Sequence, residues 1–325
     1  MTRPIRTTAP EMARVLLTGG TSFTGVWIAQ GLADAGHEVI APLKRAQSDY
    51  DGLRGDRVER LKRVAQVAFE TPFGSPAFLD LLKSAGPLDI LAHHAADIPG
   101  YRNADYDVAA GVTRNLTGAG VVFEAAAAAG VSGVIATGTG FEDAAGGMAV
   151  SPYGLSKRLT NDGFRHLALW RGLAFGRFMI NGPFGPLEEG RLVWSLFQAW
   201  FAGKAGIVRT PAYVRDNIPV VLLARAYAGL VDEMLANPKL DRVCRPAGYV
   251  GPQGEFALRV AREASTRLGQ DCPVDCLEQT AFPEPRIVAN DEPTLDQAWD
   301  EAGFWDAYVD YYREVARRGL LGAPA

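Results

Sequence analysis

The sequence predicts an α/β protein, a doubly wound parallel sheet followed by a smaller, mixed α/β region. Three observations predict it. The apolar run Val15-Leu16-Leu17 passes through a glycine-rich turn, Gly19-Gly20-Thr21-Ser22-Phe23-Thr24-Gly25, into residues 26–33, whose apolar side chains recur at helical spacing. Buried parallel strands read as short apolar runs, so this is strand, turn, helix. The strand–helix alternation then repeats as far as Ile180, the pattern of a parallel sheet covered by helices on both faces. At Asn181 the texture changes to a Pro/Gly loop and an aromatic-rich, irregular remainder.

The first turn already suggests a ligand. Glycines let backbone approach closely, and the N–H groups of a helix start attract an anion, here the pyrophosphate of a dinucleotide. The totals narrow the rest. A chain of 325 residues, 48% hydrophobic and 22% charged, is an ordinary globular protein with room for a large core. A formal net charge of -4 gives no electrostatic case for nucleic acid or an anionic membrane. No apolar run is long enough to span a bilayer. Three cysteines, Cys244, Cys272 and Cys276, read as unpaired thiols of a cytoplasmic protein. Four histidines without HExxH or CxxC spacing argue against a metal site. Residues 1–12 read as a loose leader, 13–181 as a nucleotide-binding domain and 182–325 as a smaller substrate-binding domain, with 211–232 returning to the first.

The elements follow in order. Residues 36–45 are a turn and a second strand ending in Lys44 and Arg45. In a Rossmann-type sheet this strand end meets the adenosine ribose; an acid there selects NAD, whereas cations suit a 2′-phosphate. NADP(H) is therefore the expected cofactor, with NAD(H) as the alternative. A third strand spans 64–69 and ends at Glu70, placed against the cofactor; a helix follows over 75–84. A fourth strand, 88–96, closes with His93, His94, Ala95 and Ala96. Small residues there let a flat cofactor cross the strand tips, with His94 beside it, and the histidines read as a packed or hydrogen-bonded pair. One long alanine-rich helix is expected over 111–130, carrying Asn115, and a fifth strand over 131–140 ends in Thr137 and Thr139. Hydroxyls at a strand's carboxyl end face the ligand crevice. Ser151-Pro152 opens a helix to about Trp170, with proline at an early position. Tyr153 and Lys157, four apart, share one of its faces. A sixth strand covers 174–180; helices follow at 192–202, 219–235 and 255–268, with two short ones near the end.

These motifs together resemble the extended short-chain dehydrogenase/reductase family, the NAD(P)-dependent nucleotide-sugar epimerases, dehydratases and reductases. Thr18 to Gly25 looks like the family's glycine loop, with Ser22 where its middle glycine usually stands. Asn115-Leu116-Thr117-Gly118 resembles the helix after its fourth strand, Tyr153-Gly154-Leu155-Ser156-Lys157 its YxxxK signature, and Arg215-Asp216-Asn217-Ile218 a substrate-side motif. The likeness covers the chain from Arg14 to about Tyr312.

The resemblance implies hydride exchange between a nicotinamide and a nucleotide-linked sugar. Tyr153 would carry the proton, Lys157 would lower its pKa from the usual value of about 10, and Thr137, ahead of Thr139, would bond the reacting oxygen. Gly19, Thr21, Ser22, Phe23, Thr24 and Gly25 would line the pyrophosphate, and Asn181, Arg209 and Arg215 the substrate. Family dehydratases place Asp and Glu directly after the catalytic Thr, which Gly138 and Gly140 do not supply. A dehydratase is thereby disfavoured; the cations at 44–45 lean the expectation to a ketoreductase over an epimerase, with a non-catalytic cofactor-binding module as the third reading. The Phe141-Glu142 pair replaces the family's usual Tyr-Gly. A homodimer paired through first-domain helices is the further expectation.

Overall fold

The computed structural model describes residues 12–97, 99–100, 103–143, 147–295 and 298–322, so nearly all of the expected leader lies outside the described residues. The first half runs β1 (Arg14–Thr18), α1 (Phe23–Asp34), β2 (Glu38–Pro42), α2 (Gly52–Leu61), β3 (Gln66–Ala68), α3 (Pro76–Ser84), β4 (Ile90–His93), α4 (Val108–Leu116), α5 (Ala119–Ala128), β5 (Gly133–Thr139), α6 (Pro152–Trp170) and β6 (Ala174–Ile180). The second half holds β7 (Pro183–Phe184), α7 (Leu192–Phe201), β8 (Gly206–Val208), β9 (Val214–Pro219), α8 (Val220–Ala236), β10 (Asp241–Cys244), β11 (Pro246–Ala247), β12 (Tyr249–Pro252), α9 (Gln253–Leu268), β13 (Val274–Cys276), β14 (Ile287–Val288), β15 (Glu292–Pro293) and α10 (Glu301–Arg317).

Seven strands form one parallel sheet in the order β10-β6-β5-β4-β1-β2-β3. The chain winds outward from β1 to β3, returns to β4 and winds the other way. Its switch point therefore lies between the carboxyl ends of β1 and β4, where open α/β sheets bind ligands. This is the Rossmann-type sheet that the alternation predicts, and a smaller region with short mixed sheets lies beyond it.

Local chemistry sets the helix starts. The hydroxyls of Ser22, Ser75 and Ser151 each accept a first-turn N–H, at the heads of α1, α3 and α6, and prolines follow the last two. Two boundaries differ from expectation. The single helix expected over 111–130 is two, α4 and α5, broken at Gly118 in the left-handed region at φ 80. Gly118 lies against Gly74, where a Cβ on either would be 3.1 Å from the other's Cα, so close packing overrides the helical preference of the alanine run. The expected pair of short terminal helices is one helix, α10, because its buried face, Phe304, Trp305, Tyr308, Val309, Tyr312 and Val315, continues unbroken.

The core has three parts. On one face of the sheet, α1 and α8 pack so closely that a Cβ on Gly31 would lie 2.7 Å from that of Ala224. On the other face α3, α5 and α6 cover Leu16, Leu91 and Val134. The third part is an aromatic cluster of the second half, where Phe197 and Tyr312 stack with centroids 3.8 Å apart. The loop 185–189 ties the parts together. Trp27 Nε1 donates to Pro186 O at 2.8 Å, and Arg57 Nε donates to Leu187 O at 3.0 Å. The Tyr308 and Tyr312 hydroxyls donate to the buried Glu188 carboxylate.

Candidate active site

A cavity of about 890 Å³ opens over the tips of β1, β4 and β5 and continues beneath the second half. The sequence-predicted residues Gly19, Thr21, Ser22, Thr24, Lys44, Arg45, His94, Ala95, Ala96, Asn115, Thr137, Thr139, Tyr153, Lys157, Asn181 and Arg215 line it. Phe23, Gly25, Glu70 and Arg209 do not. Glu70 is exposed at the end of β3, with its N–H on Arg45 O at 3.2 Å, and Arg209 is exposed beyond β8. Three cations that sequence reasoning missed also line the cavity: Arg54, Arg114 and Arg191. Nothing local distinguishes them from surface arginines; only the fold brings them to the rim.

The glycine turn is shaped by close approach. Gly19 has φ +77, and a Cβ there would lie 2.7 Å from Ala95 N; a Cβ on Gly25 would lie 2.1 Å from Gly19 O. Thr18 Oγ1 accepts the Ala95 N–H at 3.1 Å, fastening the loop after β4 to the tip of β1. The first-turn N–H groups of Phe23 and Thr24 lie where a helix offers no internal acceptor. The turn, the helix start and the cavity volume fit a dinucleotide.

Ser22 answers a question its sequence position raises. Its hydroxyl donates to Gly19 O at 2.9 Å, accepts the Gly25 N–H at 3.0 Å and meets His94 Nε2 at 3.1 Å. The oxygen is thus engaged within the protein. His94 is the centre of this network, with Nε2 2.9 Å from Thr24 Oγ1 and Nδ1 2.9 Å from Thr137 Oγ1. The imidazole joins the head of α1 to the tip of β5. His93 bonds Thr18 Oγ1 at 3.1 Å and packs against Phe73 and Phe164. Both histidines are thus hydrogen-bonded, to hydroxyls of Thr18, Ser22, Thr24 and Thr137, and His93 is packed as well, within the packed or hydrogen-bonded reading of the sequence. Burial, reinforced by the positive Lys157, pushes His93 down to about 3 and His94 to about 4, so both rings are neutral.

Ser151 and Pro152 start α6, which presents Tyr153 and Lys157 to the cavity. The Tyr153 ring meets Tyr106 edge-on at 6.1 Å. Lys157 is buried, which lowers its pKa; the nearby Glu142 carboxylate acts in the opposite sense. Asn115 holds its own loop: Oδ1 accepts the Asp97 N–H at 2.8 Å, and Nδ2 donates to Asp97 O and Gly111 O. Just past β6, Asn181 Nδ2 donates to Asn290 Oδ1 at 3.2 Å. Arg215 lies over Tyr213 and pairs with Glu284 at 3.0 Å. Arg191 sits 5.7 Å above the Phe23 ring, over the head of α1. Among the described residues no cluster of His, Cys, Asp and Glu could hold a metal, and no helix is long and apolar enough to cross a membrane.

A parallel sheet with a glycine turn at its switch point, and a Tyr-x-x-x-Lys helix facing the same cavity, is the architecture of the extended short-chain dehydrogenases/reductases. The chain belongs to the NAD dependent epimerase/dehydratase family, which its sequence matches over residues 15–205. No curated relative matches it in sequence. Among solved structures it is similar to UDP-glucose 4-epimerase from Thermotoga maritima with UDP-glucose, at 20% identity and TM-score 0.69, covering 93% of this chain and 99% of that one. It is also similar to UDP-glucuronic acid 4-epimerase from Bacillus cereus with UDP-glucuronic acid and NAD, at 16% identity and TM-score 0.70, covering 93% and 99%. A third is the dTDP-glucose 4,6-dehydratase DesIV from Streptomyces venezuelae with NAD, at 18% identity and TM-score 0.70, covering 94% and 98%. At these identities the likeness is one of fold.

Proposed function

We propose that the protein is an NADPH-dependent ketoreductase of a nucleotide-linked sugar. The observation that carries this reading is the cation set at the adenosine end of the cavity. Lys44, Arg45 and Arg54 line it beyond the tip of β2. Among the described residues the lining carboxylates are Asp97, after β4, and Asp216, in β9. A 2′-phosphate gains charge-assisted hydrogen bonds there, and a ribose diol finds no acid.

Bound in the cavity, the nicotinamide supplies the hydride. Tyr153 would pass its hydroxyl proton to the carbonyl oxygen of the substrate, and Lys157 would stabilise the phenolate left behind. Against the expectation that ranks Thr137 first, Thr139 is taken to bond that oxygen: the Thr137 hydroxyl already serves His94, whereas Thr139 Oγ1 accepts only a long bond from the Phe141 N–H and keeps its proton to donate. Arg191 and Arg215, both on the cavity wall, hold the substrate diphosphate in place of the exposed Arg209. A second reading, an epimerase that keeps and recycles NAD, is favoured by the likeness to two 4-epimerases.

The absorbance spectrum of the purified protein separates them. A reductase is expected to emerge without cofactor and to bind NADPH more tightly than NADH, with Lys44→Ala and Arg45→Ala weakening NADPH selectively. Bound nicotinamide would overturn the reductase reading, and equal losses for both cofactors would overturn the 2′-phosphate reading. Turnover surviving Tyr153→Phe would overturn the chemistry itself.

A further inference from the structure

Glu142 lies three residues past Thr139, fully buried, and does not line the cavity. Its carboxylate turns back behind the tip of β5. Oε1 accepts the Thr139 N–H at 2.9 Å, and the Glu142 N–H donates to Thr139 O at 3.0 Å, closing a reciprocal turn. Asn161 Nδ2 donates to Oε1 at 2.9 Å and to Oε2 at 3.1 Å. Arg177 Nη1, from β6, stands 3.7 Å from Oε2, and its other nitrogen pairs with Asp162. Gly138 makes the space: a Cβ there would lie 2.8 Å from Glu142 Oε1 and 2.5 Å from Met179 Sδ. The glycine that displaces a dehydratase acid from the cavity face admits a different acid from behind.

We infer that Glu142 is a positioning residue for the proton transfer at Tyr153: its buried carboxylate is the counter-charge that keeps Lys157 positive in a desolvated site. Asn161, which holds both carboxylate oxygens, is one helical turn beyond Lys157 on α6, so the carboxylate and the ammonium face the same stretch of helix. The charged groups nearest to them stand in balance, and the adjoining Asp143 is taken by Arg158 and Arg245. Lys157 and Arg177 are positive, and Glu142 and Asp162 negative. Of the two anions, only Glu142 is buried; the Asp162 side chain is half exposed, so water screens it. The imidazoles of His93, the last residue of β4, and of His94 just after it are neutral and cannot substitute. Burial opposes charge on both Lys157 and Glu142, each favours the charged form of the other, and Arg177 at 3.7 Å is the second cation on the carboxylate. A buried ammonium whose counter-charge is removed gives up its proton more readily, its pKa falling by about 1–3.

The inference rests on Tyr153 and Lys157 being the proton-transfer pair, and the experiment keeps the two apart by needing no substrate. The full-length protein is acylated by trace acetic anhydride across a pH series, and labelling of each lysine is read by peptide mass spectrometry. In Glu142→Gln the Lys157 midpoint is expected to fall by about one unit or more, seen as about tenfold faster labelling at a fixed pH below it. The exposed Lys83 serves as the internal standard. A folded Glu142→Gln with an unmoved Lys157 midpoint overturns the inference. If that variant does not fold, Asn161→Leu replaces it: losing both amide hydrogen bonds disfavours the ionised Glu142 carboxyl and is expected to lower the Lys157 midpoint through it, and no movement overturns the inference equally. Turnover surviving in Tyr153→Phe removes the proton-transfer reading without touching the lysine titration.

Discussion

Replacing Glu188 with glutamine is expected to stabilise the protein in mild alkali and to change it little in acid. Glu188 is wholly buried between the 185–189 loop and α10, where the Tyr308 and Tyr312 hydroxyls donate to Oε1 and Tyr311 donates to its carbonyl. Burial outweighs these bonds and raises its pKa from 4.5 to about 7. A carboxyl whose folded pKa is raised binds its proton more tightly in the native state. Its contribution is full below the unfolded value and is lost as pH rises through the folded one. A rise from 4.5 to about 7 corresponds to about 3 kcal/mol, of which about three-quarters is lost between about pH 5 and about pH 8. Glutamine keeps an oxygen for the two tyrosines and carries no charge. Urea unfolding of both proteins at about pH 5 and about pH 8 isolates the effect, because other titrating groups cancel in the difference. The variant should gain about 2–3 kcal/mol on the parent across that interval. Parallel stability curves would refute the reasoning, as would a variant less stable than the parent at about pH 8.

His94 has the opposite sign. Its pKa is depressed to about 4 by burial and by Lys157, so the unfolded chain takes up its proton first. Stability is expected to fall as pH drops from about 6.5 toward about 4, less steeply in His94→Gln, and equal acid limbs in unfolding experiments would contradict this. Gly140→Ala is expected to cost about 1–3 kcal/mol, because the new Cβ would lie 1.6 Å from Asn181 Oδ1 and must drive that side chain from Asn290. Adding Asn181→Ala should restore part of the loss; strict additivity in that double-mutant cycle would show that the clash is not the cause.

What was legible in the sequence was what local chemistry decides. Ser151-Pro152 marks a helix start by itself, and Tyr153 and Lys157 reach the cavity because four residues make a helical turn. The apolar runs of β1, β5 and β6 read as buried strands because the sheet is covered on both faces. The break at Gly118 was not legible, since its cause is Gly74, more than forty residues away. Arg54 and Arg191 reach one cavity from α2 and from the residue before α7, a convergence no spacing rule encodes. Glu142 was visible only as a departure from a family pattern; its partners lie on α6 and β6, and the turn that brings its carboxylate back to Thr139 exists only in the folded chain.

The outermost strand of the sheet, β10, and the helix that covers α1, α8, both come from beyond residue 219. On the ribosome this sets an order of events. A nascent chain that has just completed β6 has six of its seven strands, but the apolar flank of α1 is still bare. About 64 further residues must emerge before β10 can seal the edge, roughly 3–13 s at ordinary synthesis rates. During that interval the first half offers an open strand edge and a greasy helix to any holdase at the exit tunnel. A stop codon in this window leaves a chain without its covering helix or its last strand, so nonsense products ending between 181 and 240 are expected as insoluble or degraded material, never as a free nucleotide-binding fragment.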